Sequence, residues 1–413
     1  MSEKLATKNP FNIIVIVAAL GYFVDIYDLI LFGIVKDPSL KDIGITDPQM
    51  IIDQGATLLG IQMIGMLIGG MIWGILGDKL GRLSTLFLTI LIYSASTFAN
   101  GFIHDFNQYA VLRFISGIGL AGELGVGITL VSEVMTKEHR GYGTALVSGV
   151  GIAGAVLGYL VTKYFGWREA YYVGGGLGLA LLILRVSVYE SGMFKKMKEE
   201  KVKRGSFISL FTNKKRFFKY LNSIMIGIPV WYVIGILVIF SPQLGEKVFN
   251  IQGVIIGGAA IMYHYIGASI GSIVTGLISQ WLKSRKKALL IALSVLTVFI
   301  AIYFSMFNAS VTFFYTVLFL LGIAQGYWAV FVTSASEQFG TNLRSTVTTT
   351  APNFVRGLTF LMAIAFKRMG KIEAIGLWNS ALIIGVVVMV LAFIALYNLE
   401  ETYGKDLDYF EEI

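Results

Sequence analysis

The chain has 413 residues, 56% of them hydrophobic and 14% charged, with a mean hydropathy of +0.74. A soluble domain of this length needs far more charge to cover its surface, so the soluble and disordered classes are excluded. The net charge of +8 would suit a nucleic acid, but its distribution between apolar runs argues for membrane topology, and the absence of cysteine excludes disulfide and thiol chemistry.

Apolar runs long enough to cross about 30 Å of hydrocarbon recur along the chain. Twelve spans are predicted, near 12–35, 55–77, 84–103, 107–134, 143–165, 169–187, 220–245, 253–280, 287–307, 311–336, 346–366 and 372–397. The first residues, MSEKLATKNP, lead straight into the first span without a small-residue cleavage site, so no cleavable signal is expected. Lys and Arg concentrate in the loops on the side of both termini. By the positive-inside rule both termini are cytoplasmic. The block at 194–219 is the most basic of these loops and reads as a solvated linker, not a nucleic-acid site.

In chain order, the first span contains GYFVDIYDLILFG, with Asp25 and Asp28 one turn apart in an apolar helix. Such residues are costly in hydrocarbon, about 2.5–3.5 kcal/mol each on insertion scales, and mark function by default. Asp25 lies about 21 Å from the inner end, and Asp28 shares its face. After the second span comes GILGDKLGR, with Gly74, Asp78, Gly81 and Arg82. The glycines permit close approach and a tight turn, and the acid and base can pair across helix ends. The fourth span carries Arg113 near its outer end and Glu123 among Gly117, Gly119, Gly122 and Gly125, which suit close helix packing. Glu123 is either a second proton carrier or a hydrogen-bonding brace. Pro229 precedes Trp231 and Tyr232 in the seventh span, where a kink is expected. His264 is near the middle of the eighth span, and Gln325, Tyr327 and Trp328 occupy the tenth. In the eleventh, Arg356 lies about 15 Å deep with Asn353 on the same face. Ile152 holds the equivalent place in the first half, so this arginine has no counterpart. An unmatched midplane arginine suits an anion, because its planar fork takes a carboxylate or phosphate through two bonds.

The chain also repeats. Glu133-x6-Arg140 recurs as Glu337-x6-Arg344, Glu190-Ser191 recurs as Glu401-Thr402, and GILGDKLGR has a worn copy in GLISQWLKSRKK, where Gln280 stands in for an acid. Two six-span halves repeated in parallel imply a transporter with a midplane site between them. The predicted organisation is a six-helix bundle over 1–190, a linker over 191–219, a second bundle over 220–399 and a tail over 400–413.

These residues resemble the major facilitator superfamily along almost the whole chain. Gly74 to Arg82 is similar to its signature between the second and third helices. Asp25-Ile-Tyr27-Asp28 with Phe32-Gly33, the stretch from Arg113 through Gly117, Gly119, Gly122 and Glu123 to Glu133, Gly166-Trp167-Arg168 and the segment from Tyr189 to Phe194 resemble the metabolite:proton symporters, relatives of the sugar porters. Departures are Ile26, where the family often has Trp, and the lack of Pro after Glu190. The resemblance implies an all-α membrane fold of two six-helix bundles that rock about a central cavity lined by helices one and four, working as a monomer. It implies that Arg113 opposes Asp25 or Asp28, with Asp28 favoured, so that protonation of the aspartate frees the arginine. Glu133/Arg140 and Glu337/Arg344 are expected to tie helix ends at the cytoplasmic side together with Gly74, Asp78, Gly81 and Arg82. Substrate is expected at Arg113, Arg356, Tyr27, Asn353, His264, Trp231, Tyr232, Gln325 and Trp328.

The expected activity is proton-coupled uptake of a small organic anion across the inner membrane. The alternatives are uptake of a neutral or zwitterionic solute and export of siderophore-like or drug-like compounds. The fifth span has Gly149, Gly154 and Gly158 without the proline of the antiporter signature, which disfavours export. No metal cluster, nucleotide-binding loop or other cofactor motif is read, so neither enzyme activity nor ATP-driven transport is expected.

Overall fold

The computed structural model describes residues 8–184 and 202–412. Glu190, Ser191, the rest of the Tyr189 to Phe194 segment and part of the linker lie outside the described residues. Among the described residues twelve long helices build the fold: α1 Ile13–Asp42, α2 Pro48–Lys79, α3 Arg82–Asn100, α4 Phe106–Val134, α5 Arg140–Tyr164, α6 Trp167–Leu184, α7 Lys214–Val238, α8 Gly257–Trp281, α9 Arg285–Phe304, α10 Val311–Glu337, α11 Thr341–Gly370 and α12 Gly376–Tyr397. Ten are long and apolar enough to cross a membrane by length and composition alone. The other two are α6, which opens on Trp167-Arg168-Glu169, and α11, whose first twelve residues, Thr341 to Pro352, are polar-rich and buried. The polarity of α11 reflects its place between the bundles, where it meets protein instead of lipid.

Several helices outrun the spans expected from hydropathy. The first helix continues to Asp42 and the eleventh starts at Thr341, because backbone hydrogen bonding carries helices beyond the apolar stretch. Asp47 caps α2 by accepting from Met50 N at 2.7 Å, and Asp105, Ser284 and Ser310 cap α4, α9 and α10 in the same way.

Packing repeats with a six-helix period. The α2–α4, α3–α4, α1–α5, α1–α6 and α3–α6 contacts recur as α8–α10, α9–α10, α7–α11, α7–α12 and α9–α12. The two halves meet through a corresponding pair of contacts, α2 against α11 and α5 against α8. Helix breaks repeat as well. α4 is interrupted at Ala121 and Gly122, and α10 at Gly326 and Tyr327. The kink expected after Pro229 takes the form of a π-helical stretch, Val233–Val238.

Glycines set the closest approaches. A Cβ at Gly65 or Gly69 would fall on the carbonyls of Phe114 and Ile118 in α4, and one at Gly267 or Gly271 on those of Phe319 and Ile323 in α10. The two i,i+4 pairs are repeats of each other and let backbones touch where no hydrophobic effect drives helix association. Gly267→Leu is expected to cost about 1–3 kcal/mol or more through overpacking and to lower the melting temperature in detergent. Gly176→Leu, at a position with nothing within 4 Å, is the control and leaves melting unchanged.

Candidate functional site

A narrow cavity of about 30 Å³ lies between the halves. Its first wall is Tyr22 and Ile26 of α1 with Ile152 of α5; the second is Trp231 of α7, Tyr265 of α8, Gln325 and Trp328 of α10, and Arg356 of α11. Arg356 is 1% exposed, its guanidinium 5.8 Å from the Trp231 ring centre and 5.9 Å from that of Trp328. Its Nη1 donates to Asn353 Oδ1 at 3.1 Å. The Asn353 amide is in turn fixed, donating to the carbonyls of Ala121 at 2.8 Å and Thr349 at 2.7 Å. Asn353 thus anchors the arginine to the break in α4 of the opposite bundle. Arg356 Nε and Nη2, Trp328 Nε1 and Gln325 Oε1 are buried; Tyr22 is the hydrogen-bonding neighbour of Arg356 and Trp328, and His264 that of Gln325. Tyr22 stands within electrostatic reach of Arg356 and of Asp25.

A second charged centre lies inside the first bundle. Arg113 Nη1 is 3.8 Å from Asp28 Oδ1, and both residues are almost fully buried. Asp28 Oδ2 also accepts from Thr97 and, at 3.1 Å, from Ser116. The Arg113 guanidinium makes no hydrogen bond among the described residues; it lies 5.3 Å from the Phe32 ring centre and 5.9 Å from that of Tyr171. Tyr171, Tyr109 and Ser39 form a hydroxyl chain beside it, with separations of 2.7 and 3.2 Å. The ion pair is a loose contact in a dry surrounding, where a change of charge on either partner has large consequences.

At the pole where α1 begins and α12 ends, charged side chains join the helix ends. Arg82 donates from Nη2 and Nε to Glu133 at 2.8 and 3.2 Å, and also to the carbonyls of Gly77 and Thr341. The same carboxylate accepts from Arg344 of the other bundle at 2.9 Å. Asp78 lies 3.4 Å from Arg82 and accepts from the backbone N–H of Ser345 and Thr346 and from the Thr346 hydroxyl. These groups lie near the N-terminal end of α11, whose dipole favours an anion. Gly81 takes φ +113° at the turn, and a Cβ at Gly74 would come within 2.9 Å of Thr346 Cα. In the second half, Glu337 accepts from Arg285 at 3.0 and 3.1 Å and lies 3.9 Å from Arg140 of the first bundle.

This arrangement corrects the expected pairing. Glu133 meets Arg344 and Glu337 faces Arg140, so each acid reaches the arginine of the other repeat. The physical reason is the two-fold relation, which sets the end of α4 against the start of α11 and the end of α10 against the start of α5. Arg285 is the residue that sequence reading missed. It occupies the place of Arg82 in the worn copy, and the repeat offset was the signal. Gln280 donates to the Glu138 carbonyl at 3.0 Å, because the facing loop presents an acceptor where Asp78 finds donors.

Some candidates lie apart from the cavity. Tyr27 donates to the Ala170 carbonyl in α6 and Tyr232 to the Ala381 carbonyl in α12, both at 2.8 Å. His264 is fully buried with Nδ1 3.1 Å from the Leu318 carbonyl in α10. Helical phase turns these side chains into their own bundles. Arg113 likewise belongs to the Asp28 centre and does not line the cavity. Glu123 is buried at the start of the second segment of α4, where the dipole favours its charge.

The tail completes the closed pole. The Leu407 carbonyl accepts from Arg344 at 2.6 Å and from Thr341 at 3.1 Å, and Thr402 donates to Glu337 at 2.8 Å. Glu401 caps α9, accepting from Ser284 and from Arg285 N. Burial acts to raise the Glu401 carboxyl, but bonds from Ser284, Tyr403 N, Arg285 N and Thr402 N outweigh it and hold it below the usual carboxylate range.

Two outcomes check this pole. The chain is naturally cysteine-free, so Ser345→Cys is a clean reporter. Glu133→Gln breaks a buried pair, at about 3–5 kcal/mol, and is expected to speed thiol labelling at that site about tenfold or more; an unchanged rate means Glu133 does not hold the pole shut. Because the folded Glu401 is depressed, its stabilisation is present above the unfolded pKa and lost as pH falls through the folded one. The melting-temperature gap between wild type and Glu401→Gln is therefore expected to be full near about pH 7 and to close in acid.

Comparison with known proteins places this geometry. A family model described as Major Facilitator Superfamily matches residues 18–363. A putative metabolite transport protein of Haemophilus influenzae is 31% identical over 223 residues, which cover 52% of this chain and 53% of that protein, so the chain spans about half the length of this relative. The probable 4-methylmuconolactone transporter of Cupriavidus pinatubonensis is 27% identical, covering 79% of this chain and 76% of its own. The sialic acid transporter NanX of Escherichia coli is 28% identical, with coverage of 64% and 68%. Among solved structures, the proton:xylose symporter XylE superposes with a TM-score of 0.77 over 99% of this chain and 98% of that one, at 15% identity, a likeness of fold. The chain belongs to the major facilitator superfamily and is a multi-pass membrane transporter, not an enzyme.

Proposed function

We propose that the protein takes up a small organic anion together with protons by alternating access. The observation that carries the reading is Arg356: a buried cation in the cavity between the bundles, with Tyr22 and Asn353 beside it and no carboxylate in ion-pair contact among the described residues. A carboxylate is the acceptor that matches this fork. A sugar leaves the positive charge uncompensated. A relative that carries sialic acid supports an acidic substrate.

The proton site is the Asp28–Arg113 pair, with Asp25 nearer the cavity as a second carrier. A neutral Asp28 releases its hold on Arg113, and an ionised one restores it. Ile26 lines the cavity two residues from Asp28, so a movement of α1 on substrate binding reaches the pair directly. The locked pole faces the cytoplasm, with both termini on that side of an inner membrane. Breaking the Arg82–Glu133–Arg344 cluster opens it, as the bundles 1–190 and 220–399 rock within a monomer joined by the linker.

Uptake of radiolabelled carboxylates, sugars and amino acids into proteoliposomes, with and without an inward proton gradient, tests the reading. Gradient-driven carboxylate uptake is expected, lost in Asp28→Asn and in Arg356→Gln. Uptake of neutral solutes alone, or carboxylate uptake indifferent to Arg356, refutes the anion assignment. Carboxylate uptake indifferent to the gradient refutes the coupling, and extrusion from loaded vesicles reverses the direction.

A further inference from the structure

We propose that the α5–α8 seam holds a lipid site: a groove between the two bundles that takes one hydrocarbon chain of a membrane phospholipid, directly behind the wall of the central cavity. The site is independent of which solute that cavity takes.

The groove has a local cause. A Cβ at Gly154 would come within 1.9 Å of the Phe23 carbonyl oxygen, so α5 leans on α1 at this point. The helix is interrupted just before it, at Ala153. Up to the break α5 runs close to α8: a Cβ at Gly149 would fall 2.4 Å from Ile273, and one at Gly276 would fall 2.3 Å from Ala145. Past the break the contact between the two helices thins. They meet again where Tyr159 lies against Gly258. Between these closures is a cavity of about 340 Å³, open along one side and lined by Val156, Leu157 and Leu160 of α5 and by Ile266, Ser269 and Ile270 of α8. The other seam, α2 against α11, is close at Gly60, Gly70 and Gly74, which face Phe360, Asn353 and Thr346.

The lining sets the occupant. Among the described residues that line the groove, Ser269 alone has a polar side-chain atom, and its hydroxyl donates to the Gly149 carbonyl of α5. Nothing there calls for water or a headgroup, and an apolar cavity without polar partners stays dry. The open side faces lipid: Leu160 and Ile270 are 41% and 45% exposed, in helices long and apolar enough to cross a membrane. Ile266 and Ile270 lie near the middle of α8, at hydrocarbon depth. The volume exceeds that of an engineered cavity that admits benzene, so a length of acyl chain fits. Wall atoms around a void lack dispersion partners on one side, and a chain that enters supplies them. Ile152, Tyr265 and Ala268 line the central cavity, while their chain neighbours Ala153, Ile266 and Ser269 line the groove. The two spaces are thus back to back across the α5–α8 seam.

Irradiation of full-chain proteoliposomes made with a phosphatidylcholine that carries a mid-chain diazirine, followed by peptide mass spectrometry, tests the site. Val298 of α9 and Val386 of α12, at 57% and 53% exposure, are the lipid-facing controls. Adducts on Leu157, Leu160, Ile266 and Ile270 are expected to exceed those on the controls by about fivefold, because the groove contacts a chain on several sides. Ala153→Phe, which fills the groove from α5, is expected to bring the excess down to the control level. Equal labelling of groove and controls in the wild type overturns the site, and so does an excess that survives in a folded Ala153→Phe. The wild-type ratio decides even where that variant does not fold. Intermolecular disulfides through Leu157→Cys, with wild-type labelling at the control level, replace the lipid by a second copy of the chain.

Discussion

One carboxylate holds the molecule in the state described. Glu133 accepts from Arg82 of its own bundle and from Arg344 of the other, all three almost fully buried. Charges removed from water are tolerated only when well paired, and losing one partner is far more costly than losing a surface bridge. A shared carboxylate therefore makes closure of this pole close to all-or-none. Its repeat at Glu337 is looser, with Arg140 at 3.9 Å, and the copy of Asp78 is Gln280. The two repeats are alike in plan and unequal in strength, so the lock is concentrated on the α2–α4–α11 corner.

Two helices distribute the consequences. The eleventh carries Arg344 at the locked pole and Arg356 in the cavity, twelve residues apart, or about 18 Å along the axis. It is buried through its first half and more polar than the ten helices that are apolar enough to cross a membrane by composition alone. The first carries Ile26 in the cavity wall and Asp28 in the ion pair behind it. Cavity, lock and ion pair are thus attached to stiff elements, and a small rotation of one bundle acts on all three. In the proposed rocking mechanism this is how one movement would reach all three, since packed interfaces are bistable rather than gradually deformable.

The symmetry of the packing explains why closely approaching helices and charge pairs coexist. Gly65 and Gly69 against α4, and Gly267 and Gly271 against α10, bring backbones into contact inside each half. Between the halves, α2 meets α11 and α5 meets α8. Paired side-chain charges sit at one end of these seams, and in the middle the aromatic and aliphatic walls of the cavity surround Arg356.

Much of this was legible in the sequence. Twelve spans, two repeats and the placement of Asp28, Arg113, Arg356, Glu133 and Arg344 as buried charges follow from hydropathy, period and the cost of charge in hydrocarbon. Those signals are local or periodic, and a linear chain carries them. Partner choice was not legible. That Glu133 reaches Arg344 across the bundles, that Arg285 repeats the role of Arg82, that Tyr27, Tyr232 and His264 turn inward to carbonyls, and that the tail's Leu407 accepts from Arg344 all depend on helix rotation and on which ends the two-fold sets together. A shift of one residue rotates a helical side chain by 100°, so composition and spacing name the charged residues, while only the packed bundle decides what each one faces.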